Sequence, residues 1–97
     1  MNIDLVMRKA TALLDGGDKI GCERYLTDRL GQAEAAREQN TVARLLCALG
    51  ELLHAQRREP EAKVYLDRLV KMQFVDDVMV PEIRRARQIL TELNNKA

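Results

Sequence analysis

Apolar positions recur at helical spacing through most of the chain. From Ile3 to Asp15 they fall at Leu5, Val6, Met7, Ala10, Leu13 and Leu14, which predicts a first helix. Gly16-Gly17 ends it, because glycine adopts the left-handed conformation that closes a helix. Asp18 then supplies an N-cap for a second helix that buries Ile20, Cys22, Tyr25, Leu26 and Leu30. That helix is expected to continue through Ala33, Ala35 and Ala36, with Gly31 as a candidate break. Asn40-Thr41 is expected to cap the third and most apolar helix, which carries Val42, Leu45, Leu46, Leu49, Leu52 and Leu53. Arg57-Arg58-Glu59 reads as the next turn, and Pro60 as the first position of a fourth helix presenting Ala62, Tyr65, Leu66, Leu69 and Val70. Pro81 opens a fifth, with Ile83, Ala86, Ile89, Leu90 and Leu93 on one face, and fraying is expected from Asn94 to Ala97.

The elements echo one another. Arg24-Tyr25-Leu26-Thr27-Asp28-Arg29-Leu30 returns about 40 residues later as Val64-Tyr65-Leu66-Asp67-Arg68-Leu69, with Thr27 as the extra residue. Each copy lies on the second helix of a predicted hairpin. The pattern therefore predicts one domain, 1–97, made of hairpin 1 (about 3–38), hairpin 2 (about 41–74) and a capping helix (about 81–95).

Composition agrees with an all-α fold. Apolar residues make up 46% of the chain but aromatics only 3%, so leucine and alanine must build the core. Sheets favour the β-branched and aromatic residues that are scarce here. Sixteen basic residues against fifteen acidic ones leave a net charge of +1, so no global field draws the chain to nucleic acid or to an anionic membrane. Met1-Asn2-Ile3-Asp4 has neither a basic n-region nor an apolar h-region, and no run reaches the length of a membrane span. Cys22 and Cys47 read as buried small hydrophobes in a reducing compartment, so a cytoplasmic location is expected.

Within the second hairpin, Leu46, Leu49, Gly50, Leu53, Ala62 and Leu66 stand at a recognisable spacing. A small residue sits where two helices cross closely, and large apolar residues fill the turns on either side. This pattern resembles the tetratricopeptide repeat (TPR). In the first hairpin Val6, Ala10, Leu13, Cys22 and Leu26 fall on the same frame, although Lys9 replaces an apolar residue and Cys22 the small alanine. Phe74 stands at the spacing of the motif's closing proline. The separation near 40 exceeds the family's usual repeat, which implies a longer second helix or a loop inserted between Leu30 and Ala43. The chain is also similar to helical-repeat segments of large ATP-dependent transcription regulators and to small TPR chaperones of type III secretion, with no diagnostic motif for either.

The resemblance implies a groove lined by the first helix of each hairpin, which takes a peptide or helix from another protein. Carried onto this chain, its partner-binding residues are Met7, Thr11, Leu14, Arg44, Cys47, Glu51 and His54, with Asp4, Asp15 and Ala55 on the same faces. Met7 and Leu14 offer adaptable apolar contact, while Arg44 and Glu51 orient a polar backbone.

Catalytic constellations are hard to assemble. The chain has no serine, and Cys47 has no evident base, because His54 lies two helical turns away. His54 is the only histidine, with Glu51 its expected neighbour, and no metal-ligand spacing accompanies it. Gly16-Gly17-Asp18-Lys19-Ile20-Gly21 lacks the preceding strand and the Lys-Ser/Thr ending of a phosphate loop. Asp76-Asp77 reads as a turn element. Arg84, Arg85 and Arg87 have no interleaved aromatics, so they read as a solvated face rather than an RNA surface. Phe74, Val75, Val78, Met79 and Val80 either pack beneath the last helix or form a self-association patch.

The sequence therefore predicts a non-enzymatic adaptor or small chaperone with no cofactor or metal, whose partner is another protein or a second copy of the chain. A regulatory segment of a larger transcriptional regulator is the alternative, with RNA binding behind it.

Overall fold

The computed structural model describes residues 1–74 and 77–95. It is all-helical: α1 (Ile3–Asp15), α2 (Lys19–Ala35), α3 (Gln39–Ala55), α4 (Glu59–Lys71) and α5 (Val80–Asn95), with no strand among the described residues. Each helix packs on its neighbour in sequence, and α5 also packs on α3. No helix of the described residues is long and apolar enough to cross a membrane.

Three similar turns set this arrangement. Residues 17, 37 and 57 take left-handed φ values of 84°, 57° and 59°. After each, the next amide donates back to a carbonyl in the last helical turn: Asp18 to Leu13 at 2.8 Å, Glu38 to Ala33 at 3.0 Å, and Arg58 to Leu53 at 2.9 Å. This double-bonded closure satisfies carbonyls that a helix end leaves open and reverses the chain within three residues. Only the first of the three uses glycine; Arg37 and Arg57 hold a conformation unfavourable for any residue with a Cβ.

These turns correct several predicted boundaries. Because Arg37 turns the chain early, α3 begins at Gln39 behind Glu38, and Asn40 and Thr41 lie inside the helix rather than capping it. The next turn spans 56–58, so Glu59 is already helical and Pro60 is the second residue of α4. Val80 precedes Pro81 in α5. Gly31 does not break α2, which runs 17 residues to Ala35, with Ala36 as its C-cap. The long repeat separation thus comes from a long helix, not an inserted loop. Asp18 caps α2 as expected, accepting from the Gly21 amide at 2.8 Å.

The core centres on α3, from which Leu45, Leu46, Leu49 and Leu53 are fully buried together with Leu66 and Leu69 of α4 and Ile89 of α5. Small residues mark the close crossings. Gly50 faces Leu66, while Ala33, Ala43, Ala62 and Ala86 have no exposed surface. By contrast α1 buries only Val6 and Ala10. In the segment before α5, Met79 is buried and Phe74 packs on the core, whereas Val78 and Val80 are exposed. Val75, Asp76, Lys96 and Ala97 lie outside the described residues, and with them part of the apolar connector, half of the acidic pair and the end of the expected fraying.

Salt bridges tie alternate helices together. Arg58, the N-cap of α4, binds Glu23 of α2 at 2.5 Å and also Glu61 of α4, and Arg68 binds Glu34 at 2.7 Å. The Glu61 and Glu23 carboxylates hold the Arg58 guanidinium further towards its charged form, and the Glu61 carboxyl falls below its usual range through its bond to Arg58.

Candidate functional site

A groove of about 520 Å³ lies between α1 and α3. Its α1 wall is Met7, Ala10, Thr11 and Leu14, which share one helix face at three- and four-residue spacing. Arg44, Cys47, Ala48, Glu51, Leu52 and Ala55 form the α3 wall by the same rule. Leu26 of α2 contributes from below, Lys19 and Gln56 stand at one end, and Glu82 enters from α5. The cavity falls within the usual size range of ligand sites and has their mixture of apolar lining and few polar groups.

Six of the seven residues singled out in the sequence meet here: Met7, Thr11, Leu14, Arg44, Cys47 and Glu51. His54 does not. Its Nδ1 lies 3.0 Å from Glu59 Oε2 and its Nε2 3.5 Å from Glu92 Oε2, so it joins α3 to α4 and α5 beside the groove. Glu51, its expected neighbour, instead accepts from Arg85 Nε at 3.0 Å. Of the secondary positions, Ala55 lines the groove, while Asp4 sits at its rim with Oδ1 3.5 Å from Arg44 Nη1. Asp15 is not part of the lining.

Charge is unevenly satisfied. Arg44 and Glu51 each have a partner, through exposed pairs of the kind that contribute little individually. Glu82 differs: its Oε2 is sealed from solvent without a hydrogen-bond partner, as is Gln56 Nε2. Lys19 forms no ion pair among the described residues.

Cys47 Sγ lies 4.0 Å from Glu51 Oε1 and 3.9 Å from the Glu82 carbonyl oxygen. Burial pushes its thiol up to about 12, with the Glu51 and Glu82 carboxyls adding to the rise and Arg85 opposing it. At neutral pH the sulfur therefore stays protonated and is a poor nucleophile. Cys22 is also buried and raised, and both cysteines are free thiols. No cluster of three or more His, Cys, Asp or Glu suited to a metal ion occurs among the described residues.

Sequence reasoning missed Lys19, Gln56 and Glu82. Lys19 opens α2 and Gln56 closes α3, and the mutual placement of these helix ends depends on how the helices stack. Glu82 lies on α5, and the packing of α5 on α3 brings it to the groove. Comparison with protein-family models, curated proteins and solved structures finds no match to this chain.

Proposed function

We propose that the chain is a TPR-like array of two helical hairpins and a closing helix that works as a non-enzymatic protein-interaction module, an adaptor or small chaperone. Its groove between α1 and α3 receives a peptide or helix from another protein. One observation carries this reading: Met7, Thr11, Leu14, Arg44, Cys47 and Glu51 line a single groove with an apolar floor and a charged rim. The walls are helices anchored in the core through α3, so a partner entering a preformed groove loses little ordering entropy of the receptor. The buried, protonated Cys47 thiol suits apolar contact better than nucleophilic attack.

The test is affinity capture from expressing cells with the native chain and with Leu14→Arg. Leu14 is 39% exposed on the groove wall, so the longer cationic side chain enters the groove without disturbing the core. A protein retained by the native chain and lost by a variant of unchanged circular dichroism is the expected result. Equal retention by both would refute the groove as the binding surface.

A further inference from the structure

The two ends of the helix array are finished differently. Helix α5 closes one end, burying Ala86 and Ile89 and leaving Arg84, Arg87, Gln88 and Thr91 exposed. Helix α1 lies at the other end and packs on α2. Its core side carries Val6 and Ala10, and its groove side Met7, Thr11 and Leu14. The remaining face runs Leu5, Arg8, Ala12, Asp15, at spacings of three, four and three residues, so the four form one strip along the helix. All four are exposed, Leu5 by 57%.

The charges on this strip are unspent. Asp4 pairs with Arg44, and Lys9 lies 4.7 Å over the Tyr25 ring of α2. Arg8 and Asp15 form no ion pair among the described residues. On α2, Arg29 is held by Asp28, Asp18 accepts from the Gly21 amide, and Lys19 faces the groove. Arg8 and Asp15 are seven residues apart, about 10 Å along the axis at 1.5 Å per residue. Opposite charges placed either side of a small residue make the strip complementary to itself. Turned through 180° about an axis between Thr11 and Ala12, it offers Asp15 to Arg8 and Arg8 to Asp15.

We infer that the outer face of α1 docks a second copy of the chain, as an antiparallel α1–α1 pair with two-fold symmetry. Two reciprocal Arg8–Asp15 bonds fix the register, and Ala12 beside the axis lets the helices approach closely. Leu5 of each copy then lies over the partner's Gly16-Gly17 turn, where an added Cβ at Gly17 would meet nothing within 4 Å. A parallel pair would set Arg8 on Arg8 and Asp15 on Asp15, and a partner of uniform charge would match one end while repelling the other. This contact stands apart from the groove, whose α1 wall is roughly 100° round the helix and stays open in the dimer. One helix pair buries less than the roughly 1,200 Å² of a standard interface, so the dimer is weak, with a Kd on the order of 100 µM, and salt weakens it further.

The experiment is sedimentation equilibrium of the full chain from about 10 µM to 1 mM, at low and high salt. Arg8→Asp, Asp15→Arg and the double variant are measured beside it, each checked for native circular dichroism. The expected outcome is a monomer–dimer equilibrium in the native chain that weakens with salt. Each single reversal sets like charges together at both ends and should raise Kd at least tenfold. The double variant should restore the dimer, and a mixture of the two single variants should form a heterodimer. A chain that stays monomeric to the highest concentration would overturn the inference. So would a dimer indifferent to the single reversals, or one lost in them and not restored in the double variant.

Discussion

Gly31 and Gly50 are both interior helical glycines, yet their replacement by alanine is predicted to act in opposite directions. Alanine gains about 0.5–1 kcal/mol over glycine in a helix interior, mostly through chain entropy. At Gly31 an added Cβ meets nothing within 4 Å, so Gly31→Ala should stabilise by that full amount. At Gly50 the Cβ would lie 2.6 Å from Leu66 Cγ and nearer still to Cδ2. Carbon atoms prefer about 3.5–4.0 Å, so the shortfall is close to 1 Å. Leu66 is fully buried, so its side chain has to shift within a packed core to make room. Overpacking of this kind costs about 1–3 kcal/mol, which exceeds the propensity gain and leaves Gly50→Ala destabilised by about 1 kcal/mol. For a domain of this size that corresponds to a fall in Tm of about 4–8 °C. Thermal and urea unfolding followed at 222 nm measure both variants. The cause is isolated by repeating Gly50→Ala in a Leu66→Ala background. Without the leucine the clash disappears, and the same substitution should become neutral or stabilising. If Gly50→Ala stabilises the native chain as Gly31→Ala does, or if its cost survives in the Leu66→Ala background, the close α3–α4 crossing is not what requires glycine.

Other consequences follow from the turns, the buried thiol and the displaced histidine. Arg37→Gly and Arg57→Gly relieve about 1–2 kcal/mol of left-handed strain and return about 0.4–1 kcal/mol to the unfolded chain, so each should raise stability by about 0.5–1 kcal/mol in urea unfolding. The Cys47 thiol is raised from 9.0 to about 12, so the native state holds a proton that the unfolded chain releases between those values. Its contribution is therefore present below pH 9 and lost as pH rises towards 12, and Cys47→Ala should flatten the decline in urea midpoint over that window. His54→Ala removes the contacts with Glu59 and Glu92, so amides of α5 should exchange faster with solvent while partner capture stays intact. Loss of capture with α5 protection unchanged would return His54 to the binding surface.

How much of this was legible in the sequence depended on whether the deciding interaction was local. Gly16-Gly17 announced its turn because glycine is the usual left-handed residue, and Gly17 takes that conformation. Arg37 and Arg57 make the same turn without that signal, so Asn40-Thr41 and Pro60 drew the predicted helix starts a residue or two late. The groove walls were legible because face periodicity is a local property: Met7, Thr11 and Leu14 share one face of α1 as Arg44, Cys47 and Glu51 share one of α3. His54 follows the same period. It is not in the groove lining, and Glu59, in the first turn of α4, and Glu92, on α5, engage it instead. Glu82 was invisible for the converse reason. Its position depends on the segment between α4 and α5, where no periodic pattern fixes the path of the chain.

The most direct test of the groove as binding surface is site-specific photocrosslinking in expressing cells, with a benzophenone amino acid at Thr11 in the groove or at Val64 on the exposed side of α4. Val64 is 59% exposed and apolar, which makes it a demanding control for adhesive contact. A discrete protein adduct from position 11 and none from position 64 is the predicted result. An adduct from position 64 alone, or equal adducts from both, would contradict binding in the α1–α3 groove.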